Sequence, residues 1–152
     1  MSDSVLKKPT NMISNSIPVQ KSNYETNQNT IYDIKYQNIH YYMHSKEKTV
    51  QSNDNITIDF FQALSEMNAL DWNYEKNYIG FQNNKTNECV KFIRQGEDKW
   101  YAEVPIMHGK DWEGYAWSCY SDSKSIFDMM ELFFDEMIWF HLLPWKMRRF
   151  KH

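Results

Sequence analysis

The chain has 152 residues, 41% of them hydrophobic and 16% aromatic, and a formal net charge of −3 at neutral pH. That is enough apolar material for one core and too little length for several independent domains. Two cysteines exclude a disulfide scaffold, four glycines leave little room for a phosphate-cradling loop, and no apolar run is long enough to cross a membrane as a helix.

Residues 1–55 are rich in Asn and Ser and contain no tryptophan, phenylalanine or glycine. Such a stretch buries too little surface to offset the entropy of ordering it, so a largely disordered leader is expected. Within it, 31–43 carries Ile31, Tyr32, Ile34, Tyr36, Ile39, Tyr41 and Tyr42, a set with strand propensity. That segment is expected to add an edge strand or to lie over an open sheet face. Val5-Leu6 runs into Lys7, Lys8 and Pro9 where a signal peptide would continue apolar, so a cytoplasmic location is expected.

A single α+β domain is expected over 56–145. Its first helix takes Thr57 as N-cap, buries Phe60, Leu64 and Met67, and ends near Leu70. Strands follow at 78–82, 87–94, 99–106 and 114–120, the clearest being 99–106, where Trp100, Ala102, Val104 and Ile106 alternate with Tyr101 and Glu103. Gln95-Gly96-Glu97-Asp98 reads as a type II′ hairpin with Gly96 at positive φ. That turn would set Ile93 opposite Trp100, Lys91 opposite Ala102 and Cys89 opposite Val104, leaving Val90, Phe92 and Tyr101 on the other face.

From 126 to 143 apolar residues recur at helical spacing, with Ile126, Met130, Phe133, Phe134, Met137 and Phe140 on one stripe. Asp122, Ser123 or Ser125 caps this helix, and Pro144 stops it. The expected fold is therefore an antiparallel four-stranded meander with an N-terminal helix and a long C-terminal helix, in the order α-β-β-β-β-α. Asp128, Glu131 and Asp135 line a solvated stripe of the last helix, with Leu132, Trp139 and Leu143 on the seam beside it. Residues 146–152 form a basic tail in which aromatic and basic groups alternate.

Chemistry-bearing residues are sparse. His40 and His44 stand four apart, a metal-ligand spacing on a helix, but no acidic third ligand lies nearby and both read as surface histidines. His141 near the helix C-terminus reads as a packed imidazole. His108, Asp111 and Glu113 share a glycine-bounded loop and form the one candidate pocket for a small enzyme or ligand-binding domain, with the His as base and a carboxylate orienting it. No nucleophile elbow, Walker loop or paired C-x-x-C occurs, and Cys89 and Cys119 read as structural thiols. No metal and no cofactor is expected.

Charge distribution is more informative. Between Thr57 and Trp145, 7 lysines and arginines face 15 aspartates and glutamates, an excess of eight negative charges. An acidic body repels nucleic acid and steers a cationic partner toward itself, so no nucleic acid partner is expected. Lys99-Trp100-Tyr101-Ala102-Glu103-Val104-Pro105, with the loop, strand and helix after it, is similar to the core of HicB-type antitoxins. The longer loop with Trp112, the helix at Thr57 and the extra hairpin partner depart from that pattern. In kind the chain also resembles small acidic immunity proteins that neutralise toxins. The expected function is thus a non-enzymatic acidic interaction protein that binds a basic protein partner through Asp128, Glu131, Leu132, Asp135 and Trp139.

Overall fold

Residues of period two write a sheet with one greasy and one polar side. A computed structural model describes residues 38–108 and 111–150. Within them, Ile39–His44 (β1), Thr49–Val50 (β2), Ile56–Thr57 (β3), Tyr78–Asn83 (β4), Cys89–Gly96 (β5), Lys99–His108 (β6), Asp111–Ser121 (β7) and Lys146–Arg149 (β8) pair into one antiparallel sheet. The order is β2-β1-β4-β5-β6-β7-β8, and β3 also pairs with β1. Two α-helices, Phe60–Asn68 (α1) and Ser123–Phe134 (α2), pack on one face.

The expected four-stranded meander with an N-terminal helix is therefore corrected. β4 to β7 are the middle of an eight-stranded sheet, and three strands precede the first helix. β1 pairs along the whole of β4, from Ile39 opposite Asn83 to His44 opposite Tyr78. It is not an edge, because β2 and β3 share its outer side. Burial explains its place: Ile39, Tyr41 and Met43 point into the core from alternate positions, as a half-buried strand requires. Residues 1–37 lie outside the described residues, and with them most of the expected leader.

The helix-covered face is assembled in cross-strand rows. Tyr41, Phe81 and Val90 form one row, and Ile79, Phe92, Ala102 and Cys119 the next. Ile126, Met129, Met130, Phe133 and Phe134 from α2, with Ala63 and Met67 from α1, close over them. Edge-to-face rings tie the layers together: Phe134 meets Phe81 at 5.7 Å, and Trp100 meets Phe127 at 6.1 Å.

The β5–β6 register differs from expectation by one residue. Lys91 faces Glu103, Phe92 faces Ala102 and Ile93 faces Tyr101, with an irregularity at Gly96 that absorbs the extra residue. Gly96 does not take positive φ. Because side chains alternate, this single slip puts Val90 and Phe92 into the core and turns Lys91 and Ile93 outward, the reverse of the II′ arrangement.

Both helices start on aspartates. Asp59, not Thr57, caps α1, accepting from the Gln62 N–H at 2.8 Å while Gln62 reaches back to the Asp59 N–H. Asp122 accepts from the Ser125 N–H, and Asp98 in the β5–β6 turn accepts from the Ser123 N–H. α2 stops at Phe134, well before Pro144. Glu136 takes a left-handed backbone (φ 58°), and the N–H groups of Glu136 and Met137 return to the carbonyls of Phe133 and Leu132. This is a Schellman ending with Glu where glycine is usual. The Glu136 carboxylate accepts from Asn83 (2.9 Å) and Asn38 (3.3 Å), so it anchors the turn to the β1–β4 end of the sheet.

A second polar clamp sits at the opposite end of β4 and β5. Arg94 is 8% exposed and donates to four backbone carbonyls: Asn68, the last residue of α1, and Leu70 just after it, and Gly96 and Glu97 at the β5–β6 turn. Its guanidinium also lies over the rings of Trp72 and Trp100. The planar five-donor fork meets these demands and a lysine would not.

Candidate functional site

The α2 turn reorganises the sequence-derived docking surface. Asp128 and Glu131 are exposed on α2, and Asp135 is its C-cap. Lys124 pairs with Asp128 one helical turn away at 2.8 Å. Burial, then Asp135 and Asp128, hold the Glu131 carboxyl above its ordinary pKa, and among the described residues no lysine or arginine pairs with it. Leu132 is half-buried against the core.

Trp139 is not beside this stripe on the surface, which corrects its role as an anchor. It is 4% exposed and stacks edge-on against Phe133 and Phe140. The helix ends before it, so helical periodicity no longer governs where it points. The chain folds back, and Trp139 and Leu143 seal the core while Ile138 (79% exposed) and Met137 take the surface. His141 is exposed in a short 3-10 turn, not packed.

The second candidate falls at the mouth of the β6–β7 hairpin. His108 faces Asp111 in register, and the sheet is irregular between Pro105 and Met107. Gly114 is the described glycine that needs positive φ (88°) there. Glu113 lines a pocket of about 330 Å³ with Ile106, Met107, Tyr115 and Met147, whereas Asp111 is exposed. This is one carboxylate over a mostly apolar floor, on the part of the helix-side face that the helices leave uncovered. His40 and His44 lie on a strand, roughly 13 Å apart at strand rise, so they cannot share an ion. His40 is buried with its Nδ1 unpartnered, and His44 hydrogen-bonds to Thr49 and Tyr74. Among the described residues no group of three potential ligands is in place to hold a metal. Burial pushes the Cys119 thiol up to about 11 and raises that of Cys89, so both are poor nucleophiles at neutral pH.

The face away from the helices is what sequence reasoning missed. One row crosses it as Tyr42, Gly80, Lys91, Glu103, Ser118 and Lys146. The Tyr42 ring lies across Gly80 so closely that a Cβ there would sit 2.1 Å from it. Lys91 rests over Tyr78 (4.7 Å) and reaches Glu103 at 4.0 Å. Next to this row, the rings of Tyr101 and Tyr120 meet at a tilt with centroids 4.9 Å apart, Lys99 sits over Tyr120, and Arg148 donates to the Tyr101 hydroxyl at 2.5 Å. The basic tail is therefore, over Lys146–Arg149, part of the sheet. As β8 it carries Lys146 and Arg148 to the open face, while Arg149 lies over Tyr115 on the other. The signal was present in the alternation of Lys99, Tyr101 and Glu103, and of Lys146 and Arg148.

The chain has no match among protein-family models, curated proteins or solved structures. No helix among the described residues is long and apolar enough to cross a membrane.

Proposed function

We infer that the chain is a non-enzymatic interaction protein that docks a basic protein partner on the acidic end of α2, in the manner of an immunity-like or antitoxin-like inhibitor. The observation that carries this reading is the continuity of Glu131 and Asp135 with Met137 and Ile138, which project past the Schellman turn into solvent. An acidic rim beside exposed apolar side chains suits a partner with lysines or arginines around an apolar centre: the charges steer encounter and the apolar contact holds it. The mutual repulsion of Asp128, Glu131 and Asp135 adds a pH signature. An arriving cation relieves it, so binding strengthens as pH rises through the carboxylate range and weakens with salt.

Comparison of proteins captured from source-cell lysate by the wild-type chain and by a Glu131→Lys/Ile138→Glu double variant tests this. Loss of one basic protein in the variant, with unchanged circular dichroism and rebinding of the purified protein to the wild type, is the expected result. Identical capture by both chains removes the reading.

A further inference from the structure

We propose that the open sheet face binds single-stranded nucleic acid, with Tyr120 and Trp112 as stacking platforms and Lys99, Lys146 and Arg148 as phosphate contacts. This surface is separate from the end of α2 and does not depend on its role.

The argument starts from how charge is divided in space. About half of the carboxylates between Thr57 and Trp145 sit on the helices and the turns that end them, including Glu66, Asp128, Glu131 and Asp135, and Asp111 and Glu113 flank Trp112 at the far end of the sheet. The central open face carries Lys91, Lys99, Lys146 and Arg148 against one carboxylate, Glu103, which Lys91 engages. Averaging over sequence hides this separation, and the expectation that phosphate is repelled does not hold locally.

Rings and cations then interleave without a break. Lys99 lies 5.3 Å from the Tyr120 centroid, Tyr120 meets Tyr101 at a tilt, Arg148 lies between the rings of Tyr101 and Phe150, and Phe150 meets Trp112 at 6.0 Å. Tyr120 is 58% exposed and Trp112 42%, so each end of the series presents a ring to solvent. A guanidinium resting on a ring uses its flat face and keeps N–H edges for a phosphate. Tyr120 and Trp112 are eight residues apart on β7, about 26 Å at strand rise, a span for several nucleotides.

Base stacking needs unpaired bases with free faces, so this surface fits a single strand and not a duplex. A membrane would favour protruding apolar side chains, and an acidic peptide would engage the cations but make no use of the exposed rings of Tyr120 and Trp112.

The test is fluorescence anisotropy of the full chain with a labelled oligouridylate of about twelve nucleotides at about 50 mM salt. Binding is expected, falling with salt at a log–log slope of about −2 for three phosphate contacts. Tyr120→Ala weakens it by about tenfold, Lys146→Gln flattens the slope by about 0.7, and Glu75→Gln, at an exposed position away from this face, leaves it unchanged. If Tyr120→Ala loses the native circular dichroism, Tyr120→Leu keeps apolar contact, removes the ring and carries the same expectation. No binding by the wild type, equal binding by the folded Tyr120 variant, duplex bound as tightly as single strand, or binding to anionic phospholipid vesicles but not to the oligonucleotide each overturns the proposal.

Discussion

The two faces of the sheet are made from alternate residues of the same strands, yet they solve opposite problems. On one, Phe81, Phe92 and Trp100 are fully buried under two helices. On the other, Lys91 pairs with Glu103 and Arg148 with the buried Tyr101, and no helix among the described residues lies above them. The first face holds the fold together by area removed from water, and the second is held in place by the first. Core and charged face are thus separated by one residue of register, which is why a single slip in β5 exchanges which side chains serve each.

That contrast can be broken most severely at its centre. Phe92→Ala empties a fully buried site between Phe81 and Trp100 and is expected to cost about 3–5 kcal/mol in denaturant unfolding. Arg94→Ala follows, at about 3 kcal/mol, because it leaves the carbonyls after α1 and in the β5–β6 turn without donors. Arg94→Lys should recover only part of that loss. Gly80→Ala strikes the open face through its backbone: the new methyl displaces the Tyr42 ring, at about 1–3 kcal/mol, and Tyr42→Ala in the same chain should relieve much of the clash. By comparison Tyr120→Ala, on the solvent side of the same sheet, should change stability by less than about 1 kcal/mol.

The smallest expected effect sharpens the comparison by pH. The Glu131 carboxyl is held above its ordinary pKa, so folding disfavours its charged form. Its contribution is therefore fully present below the unfolded-state pKa and is lost as pH rises through the folded one. Glu131→Gln is expected to raise Tm slightly at neutral pH, and the difference should vanish below about pH 4. Thermal melts of both chains across that range check the sign.

How much of this was legible depends on which signal each residue carried. β6 was readable because Trp100, Ala102 and Val104 alternate cleanly, and α2 began where Asp122 and Ser125 said it would. β1 was read in part: 31–43 was expected as an edge strand or a cover, but the composition around it argues for disorder, and nothing local marked its place between β4 and the short strands β2 and β3. The end of α2 was hidden because the left-handed position is held by Glu136, tied by Asn83 and Asn38, which no local rule anticipates. Trp139 was misplaced as a result, since the periodicity was extended past the turn. The β5–β6 register was lost because Gly96 absorbs an extra residue without positive φ. For the candidate sites, the acidic stripe was visible and its apolar neighbours were not. The cationic open face needed β8: the alternation of Lys146 and Arg148 hinted at a strand, but its pairing with Tyr115–Ser118 is nonlocal and the tail does not name its partner.

β8 also decides how the molecule meets copies of itself. It ends the sheet with Lys146, Met147, Arg148 and Arg149, all exposed, and a second chain approaching that margin would bring like charges into register. The protective margin is late in the chain and only four residues long. A version cut before Lys146 would lay bare the backbone of Tyr115 to Ser118 with no charge guarding it, and sticky, polymer-forming behaviour should appear in light scattering even where the core remains intact.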